Sequence, residues 1–82
     1  MKRVEIEWED SCLINDWLTE EQVMLIGNPQ ALHIGYLVNE DDNSYTLVMG
    51  YSDSGLYHAR FTIPKGCVKS IKTLRVKSDT LP

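Results

Sequence analysis

The sequence predicts a mainly β protein: a small five-stranded barrel of the SH3-like or Sm-like kind, with one short α-helix after the first strand. Three observations carry that prediction. Apolar and polar residues alternate with period two over several short runs, clusters of Gly, Pro, Asn, Asp and Ser separate those runs, and a single stretch has the form of a helix start. The 82 residues make room for one domain, expected over residues 1–77 with a short tail at 78–82. A chain of this size buries only about 60% of the surface it exposes when unfolded, so stability is expected to rest on tight strand pairing, a few large aromatics or self-association. A hydrophobic fraction of 43% with 24% charged residues argues against disorder.

The opening Val4-Glu5-Ile6-Glu7-Trp8-Glu9 alternates strictly, with Val4, Ile6 and Trp8 on one face and the three glutamates on the other, the period of a half-buried strand. Asp10, Ser11, Asn15 and Asp16 break that alternation. Thr19-Glu20-Glu21-Gln22 then has the form of a capping box in front of Val23-Met24-Leu25-Ile26, and Gly27 with Asn28-Pro29 supplies the stop. A helix of about two turns is expected there.

From Ala31 to Val38 a second strand places Leu32, Ile34, Tyr36 and Val38 on one face and His33, Gly35 and Leu37 on the other, and an acidic turn follows at Asn39–Ser44. Tyr45, Leu47, Met49 and Tyr51 form one face of the third strand. After the turn Ser52-Asp53-Ser54-Gly55, the fourth strand sets Tyr57, Ala59, Phe61 and Ile63 against His58, Arg60 and Thr62. Pro64 has no N–H to give a ladder and ends it; Lys65-Gly66-Cys67 is a tight corner. A last strand over Val68–Val76 has Ile71, Leu74 and Val76 as its expected buried members. Closing the sheet would remove exposed strand edges. Antiparallel pairing of the first and last strands would set Glu5, Glu7 and Glu9 against the last strand's cations.

The net charge of -4 conceals a division along the chain. No Lys or Arg lies between Val4 and Ala59, a stretch that holds eleven of the twelve carboxylates. Beyond it, Arg60, Lys65, Lys69, Lys72, Arg75 and Lys77 are opposed only by Asp79, so a basic end is attached to an acidic body. Met1-Lys2-Arg3 leads directly into the alternating strand with no apolar signal-peptide core, and no run is long enough to span a bilayer. The expected location is the cytoplasm, with no membrane partner. Cys12 and Cys67 form no CxxC unit and are expected as free thiols in a reducing compartment.

The opening V-x-I-x-W-x-D-S, the second tryptophan Trp17, the central Gly35-Tyr36-Leu37-Val38 before an acidic turn, and the closing Ile63-Pro64-Lys65-Gly66-Cys67-Val68-Lys69-Ser70-Ile71 span most of the chain. Together they resemble a group of small uncharacterised proteins encoded in phage and prophage genomes. The closing segment is also similar to the strand, tight turn and strand that end Sm-like and SH3-like barrels. The resemblance implies a phage setting, hence a bacterial host cytoplasm, and a barrel fold. It carries over no catalytic residue.

No catalytic constellation is expected. A Cys67–His58–Asp53 arrangement would need a framing motif that is absent, and a cysteine beside a tight turn reads better as a small core filler. His33, His58, Cys12 and Cys67 lack metal-ligand spacing. The stretch Asn39-x-Asp41-x-Asn43 starts like a calcium loop but has Ser44 where Gly is needed and Gly50 where Glu is needed, so a solvated hairpin turn is the better reading. Phosphate-cradling and hydrolase-elbow motifs are missing, and neither cofactor nor metal is expected.

What remains is binding. The first reading is a protein that docks on and modulates a host or phage protein through Trp17, Asp16 and Glu20, with Asp41 and Asp42 as an acidic steering cluster. The second is an Sm-like oligomer holding a small nucleotide-type ligand, such as a messenger of host defence, with Arg60, Lys65, Lys69 and Tyr57. The third is nucleic-acid binding along Lys69, Lys72, Arg75 and Lys77, with Tyr51, Tyr57 or Phe61 stacking on bases; the acidic body counts against it.

Overall fold

A computed structural model describes residues 1–11 and 15–75. In chain order the elements are β1 (Arg3–Glu9), α1 (Glu20–Leu25), β2 (Gln30–Glu40), β3 (Ser44–Tyr51), β4 (Tyr57–Pro64), a single 3-10 turn (Lys65–Cys67) and β5 (Val68–Leu74). The strands form one antiparallel sheet in the order β4-β3-β2-β1-β5. Cys12, the proposed last core residue Val76, Lys77 and the tail lie outside the described residues. No helix among the described residues is long and apolar enough to cross a membrane.

The sheet bends about the middle of β2, and the ladders show where. Gln30 to Tyr36 pair with β1, whereas pairing with β3 begins only at Tyr36. One leaf is therefore β5, β1 and the first half of β2; the other is the second half of β2, β3 and β4. Gly35 sits at the crease, where a Cβ would lie 2.9 Å from the Val48 carbonyl oxygen and 3.3 Å from the Leu47 Cβ. Only glycine lets the two leaves approach this closely. Val4, Ile6 and Trp8 of β1 pack between the leaves against Leu47 and Ile63, with Tyr45, Phe61 and Cys67 at the margin.

The expected pairing of first and last strands is present, in a register that uses only part of the charge complementarity. Glu5 lies opposite Lys72 and Glu7 opposite Ser70, and a bulge at Glu7/Trp8 leaves Lys69 out of register. The expected closure is not made: β4 and β5 are the two edges of the sheet. The 3-10 turn carries the chain from one leaf to the other, where β5 pairs with β1 along one side and its other side meets no strand among the described residues.

The faces of β2 also differ in outcome from their apolar content. Leu32, Ile34 and Val38 are exposed, while Ala31, His33, Gly35 and Leu37 turn inward. The register of β1 dictates this, because directly opposed residues share a face: Trp8 stands opposite Ala31, Ile6 opposite His33 and Val4 opposite Gly35. In β3 and β4 the expected faces are buried at Leu47 and Ile63 and half-buried at Tyr45 and Phe61; Met49, Tyr51 and Tyr57 are exposed, since β3 has no β2 partner beyond Val48. Ile71 is partly exposed because β5 is an edge.

α1 forms where its capping box places it. The Gln22 amide donates to Thr19 Oγ1 (3.1 Å) and the Thr19 amide donates to Gln22 Oε1 (3.0 Å). None of its residues is buried.

Candidate functional site

Where β2 leaves β3, the parted leaves open a groove of about 220 Å³, floored by Leu47 and Val48 and walled by His33, Ile34, Met49, Arg60 and Phe61. Its inner wall is an aromatic trio. The Trp8 indole N–H donates to His33 Nδ1 at 2.9 Å, and the His33 ring stacks on Phe61 at 4.4 Å between centroids with the planes 11° apart. Trp8 lies 5.6 Å from each of the other two rings. Because Nδ1 accepts, a neutral His33 carries its proton on Nε2. His33 thus acts as hydrogen-bond acceptor for a core tryptophan, a role the sequence could signal only through the register of β1 against β2, which puts the two on one face. Ala59, on the same groove, has φ 58°, a left-handed conformation costing about 1–2 kcal/mol in an L-residue. Such strain gathers at functional sites.

A second feature faces solvent. Between β1 and β2 the chain makes an arm, closed at its root by the Asp10 amide donating to the Pro29 carbonyl at 3.0 Å. Trp17 is 98% exposed, Met24 79% and Leu25 77%, and Val23 and Ile26 are exposed as well. Asp16 sits beside Trp17, its carboxylate accepting the Trp17 amide at 2.8 Å. Asp10, Asp16, Glu20 and Glu21 give the arm four negative charges, and it holds no Lys or Arg. Trp17, Asp16 and Glu20, three of the expected partner-binding residues, therefore share one surface element.

Asp41 and Asp42 lie elsewhere, in the turn after β2, whose eleven residues separate them from the arm's root by roughly 30 Å. Asp41 is a turn staple: its carboxylate accepts the amides of Asn43 and Ser44 at 2.8 Å each and the Ser44 hydroxyl at 3.3 Å. This is also the fate of the calcium-like stretch. The Asn43 amide, then that of Ser44, holds the Asp41 carboxyl below its ordinary value of 3.8. A depressed folded value means that the contribution to stability is complete above the unfolded value and is lost as pH falls through the folded one. Thermal melts between pH 2 and 6 are expected to show a shallower acid decline for Asp41→Asn than for the wild type, and a lower melting temperature for Asp41→Ala at neutral pH. Identical acid limbs would refute the staple.

The alternative ligand set is dispersed within one copy. Arg60 is on the groove, whereas Lys69 borders a separate hollow with Glu7, Gln30 and Leu32. Lys65 binds Glu40 at 2.8 Å, which raises its ammonium above the ordinary value, and lies over the Tyr45 ring at 5.0 Å. Tyr57 is exposed at the start of β4. His58 is also near the start of β4 and Cys67 lies beyond its end, so strand length holds them roughly 20 Å apart. Among the described residues no three potential ligands gather for a metal. Lys69, Lys72 and Arg75 recur every three residues, which on a strand sends successive cations to opposite faces and forms no single stripe. Comparison of the chain with protein-family models, with curated proteins and with solved structures gave no match, so the functional reading rests on this geometry.

Proposed function

We propose that this chain is a non-catalytic binding protein whose bent sheet, of the SH3-like or Sm-like kind, presents the arm around Trp17 to a protein partner. One observation carries the reading: a fully exposed tryptophan on an acidic segment that also exposes Val23, Met24, Leu25 and Ile26 and whose helix has no buried residue. A helix of six residues is marginal in water without packing, so this element gains its stability from what it docks on. Buried tryptophans dominate the energy of many interfaces, and the surrounding carboxylates steer approach and suppress wrong partners. In the phage setting that the sequence resemblance implies, the target is a host or phage protein that docking would modulate.

Trp17→Ala is expected to melt with the wild type, as exposed substitutions usually change stability by no more than about 0.5 kcal/mol. Its affinity for a captured protein is expected to fall by about thirtyfold or more, as for a hot-spot residue worth about 2 kcal/mol. Undiminished affinity would overturn the assignment. The nucleotide-ligand reading retains one supporting observation, Arg60 beside the His33–Phe61 stack. It requires neighbouring copies to supply the remaining cations, and native mass spectrometry showing an oligomer with a small bound mass would favour it.

A further inference from the structure

We propose that the partner of the arm is a second copy of this chain: Trp17 of each copy enters the groove between β2, β3 and β4 of the other, with Asp16 facing Arg60 at the rim. The inference rests on the reading of the arm as a docking element and names what it docks on.

Size comes first. At about 220 Å³ the groove is smaller than the roughly 300–1,000 Å³ of sites for drug-sized ligands, and it suits one large flat side chain. Its walls are suited to an indole: the stacked His33 and Phe61 rings on one side, with Ile34 at 62% exposure and Met49 at 69% open to contact.

Charge agrees. The arm is purely acidic, whereas Arg60 has no carboxylate within 4.0 Å among the described residues; the ion pair found there joins Lys65 to Glu40. Arg60 lines the apolar groove, and its guanidinium is of the type that takes a carboxylate such as that of Asp16 in bidentate fashion. No other chain is needed to supply both halves of this match.

Area is sufficient as well. Among the described residues six apolar side chains are buried and fourteen large ones are exposed, so a broad apolar surface has no cover within one copy. A buried aromatic contributes about 150–250 Å². With the exposed Met24 and Leu25 of the same arm added, two reciprocal contacts reach the range of about 1,200–2,000 Å² typical of stable interfaces. The same patch meets the same patch across a two-fold axis, which closes the assembly at two copies.

Sedimentation velocity over a concentration series tests this on the full chain. The wild type is expected to be a dimer, with Trp17→Ala and Arg60→Glu each weakening it by about thirtyfold or more. An equimolar mixture of the two variants is expected to recover a heterodimer, because one copy retains an intact groove and the other an intact arm. A monomeric wild type, or a dimer that survives both substitutions, would overturn the inference. If the wild type is monomeric yet Trp17→Ala loses a captured host protein, the second-copy assignment fails and the docking reading stands. Monomeric behaviour without any Trp17-dependent capture removes both.

Discussion

Trp8→Ala is expected to leave little folded protein under conditions in which the wild type is fully folded. The indole is buried between the leaves, touches both His33 and Phe61, and gives its N–H to His33. Truncating a core tryptophan costs about 3–5 kcal/mol through lost burial and the cavity left behind. At about 0.05–0.15 kcal/mol per residue, a domain of this length has roughly 4–12 kcal/mol in total. With six apolar side chains buried among the described residues, it belongs near the lower end. Far-UV circular dichroism and urea unfolding measure the effect. Trp8→Phe is the informative companion: it keeps an aromatic ring between the leaves and removes the hydrogen bond, a loss of about 0.5–1.5 kcal/mol. A cooperative melt of Trp8→Ala within a few degrees of the wild type would mean that the core is not organised around this residue.

β1 and α1 were legible because each is specified locally. Strict alternation identifies Val4, Ile6 and Trp8 as one face, and the reciprocal hydrogen bonds of Thr19 and Gln22 are encoded in four consecutive residues. The orientation of β2 was not legible, since both of its faces carry apolar residues and only the register against β1 decides between Ile34 and His33. The groove was hidden for the same reason. His33, Met49 and Phe61 come from three strands, and what brings them together is the crease in the sheet, a non-local feature marked in sequence by one glycine. Trp17, Asp16 and Glu20 could be grouped because they are neighbours in the chain. Asp41 read as part of a steering cluster because sequence shows its sign and not that Asn43 and Ser44 already donate to its Oδ1.

Gly35→Ala is expected to destabilise the domain by about 1–3 kcal/mol, the usual range when a methyl is forced into a packed site. The added carbon would stand 2.9 Å from the Val48 carbonyl oxygen and 3.3 Å from the Leu47 Cβ. Neither neighbour is the free end of a flexible side chain, so relief requires β2 and β3 to separate. The first ladder contact beyond the crease is Tyr36 with Val48, and Leu47 and Val48 form the groove floor, so both would shift together. Gly50→Ala is the control: it also lies in a strand of this sheet, but a Cβ there meets nothing within 4 Å. Removing glycine's freedom from the unfolded chain should leave that variant neutral or stabilised by about 0.4–1 kcal/mol. Urea midpoints for the two variants therefore separate close approach from backbone entropy. A Gly35→Ala midpoint equal to that of Gly50→Ala would show that the leaves do not meet at Gly35, and the groove beside it would lose its structural basis.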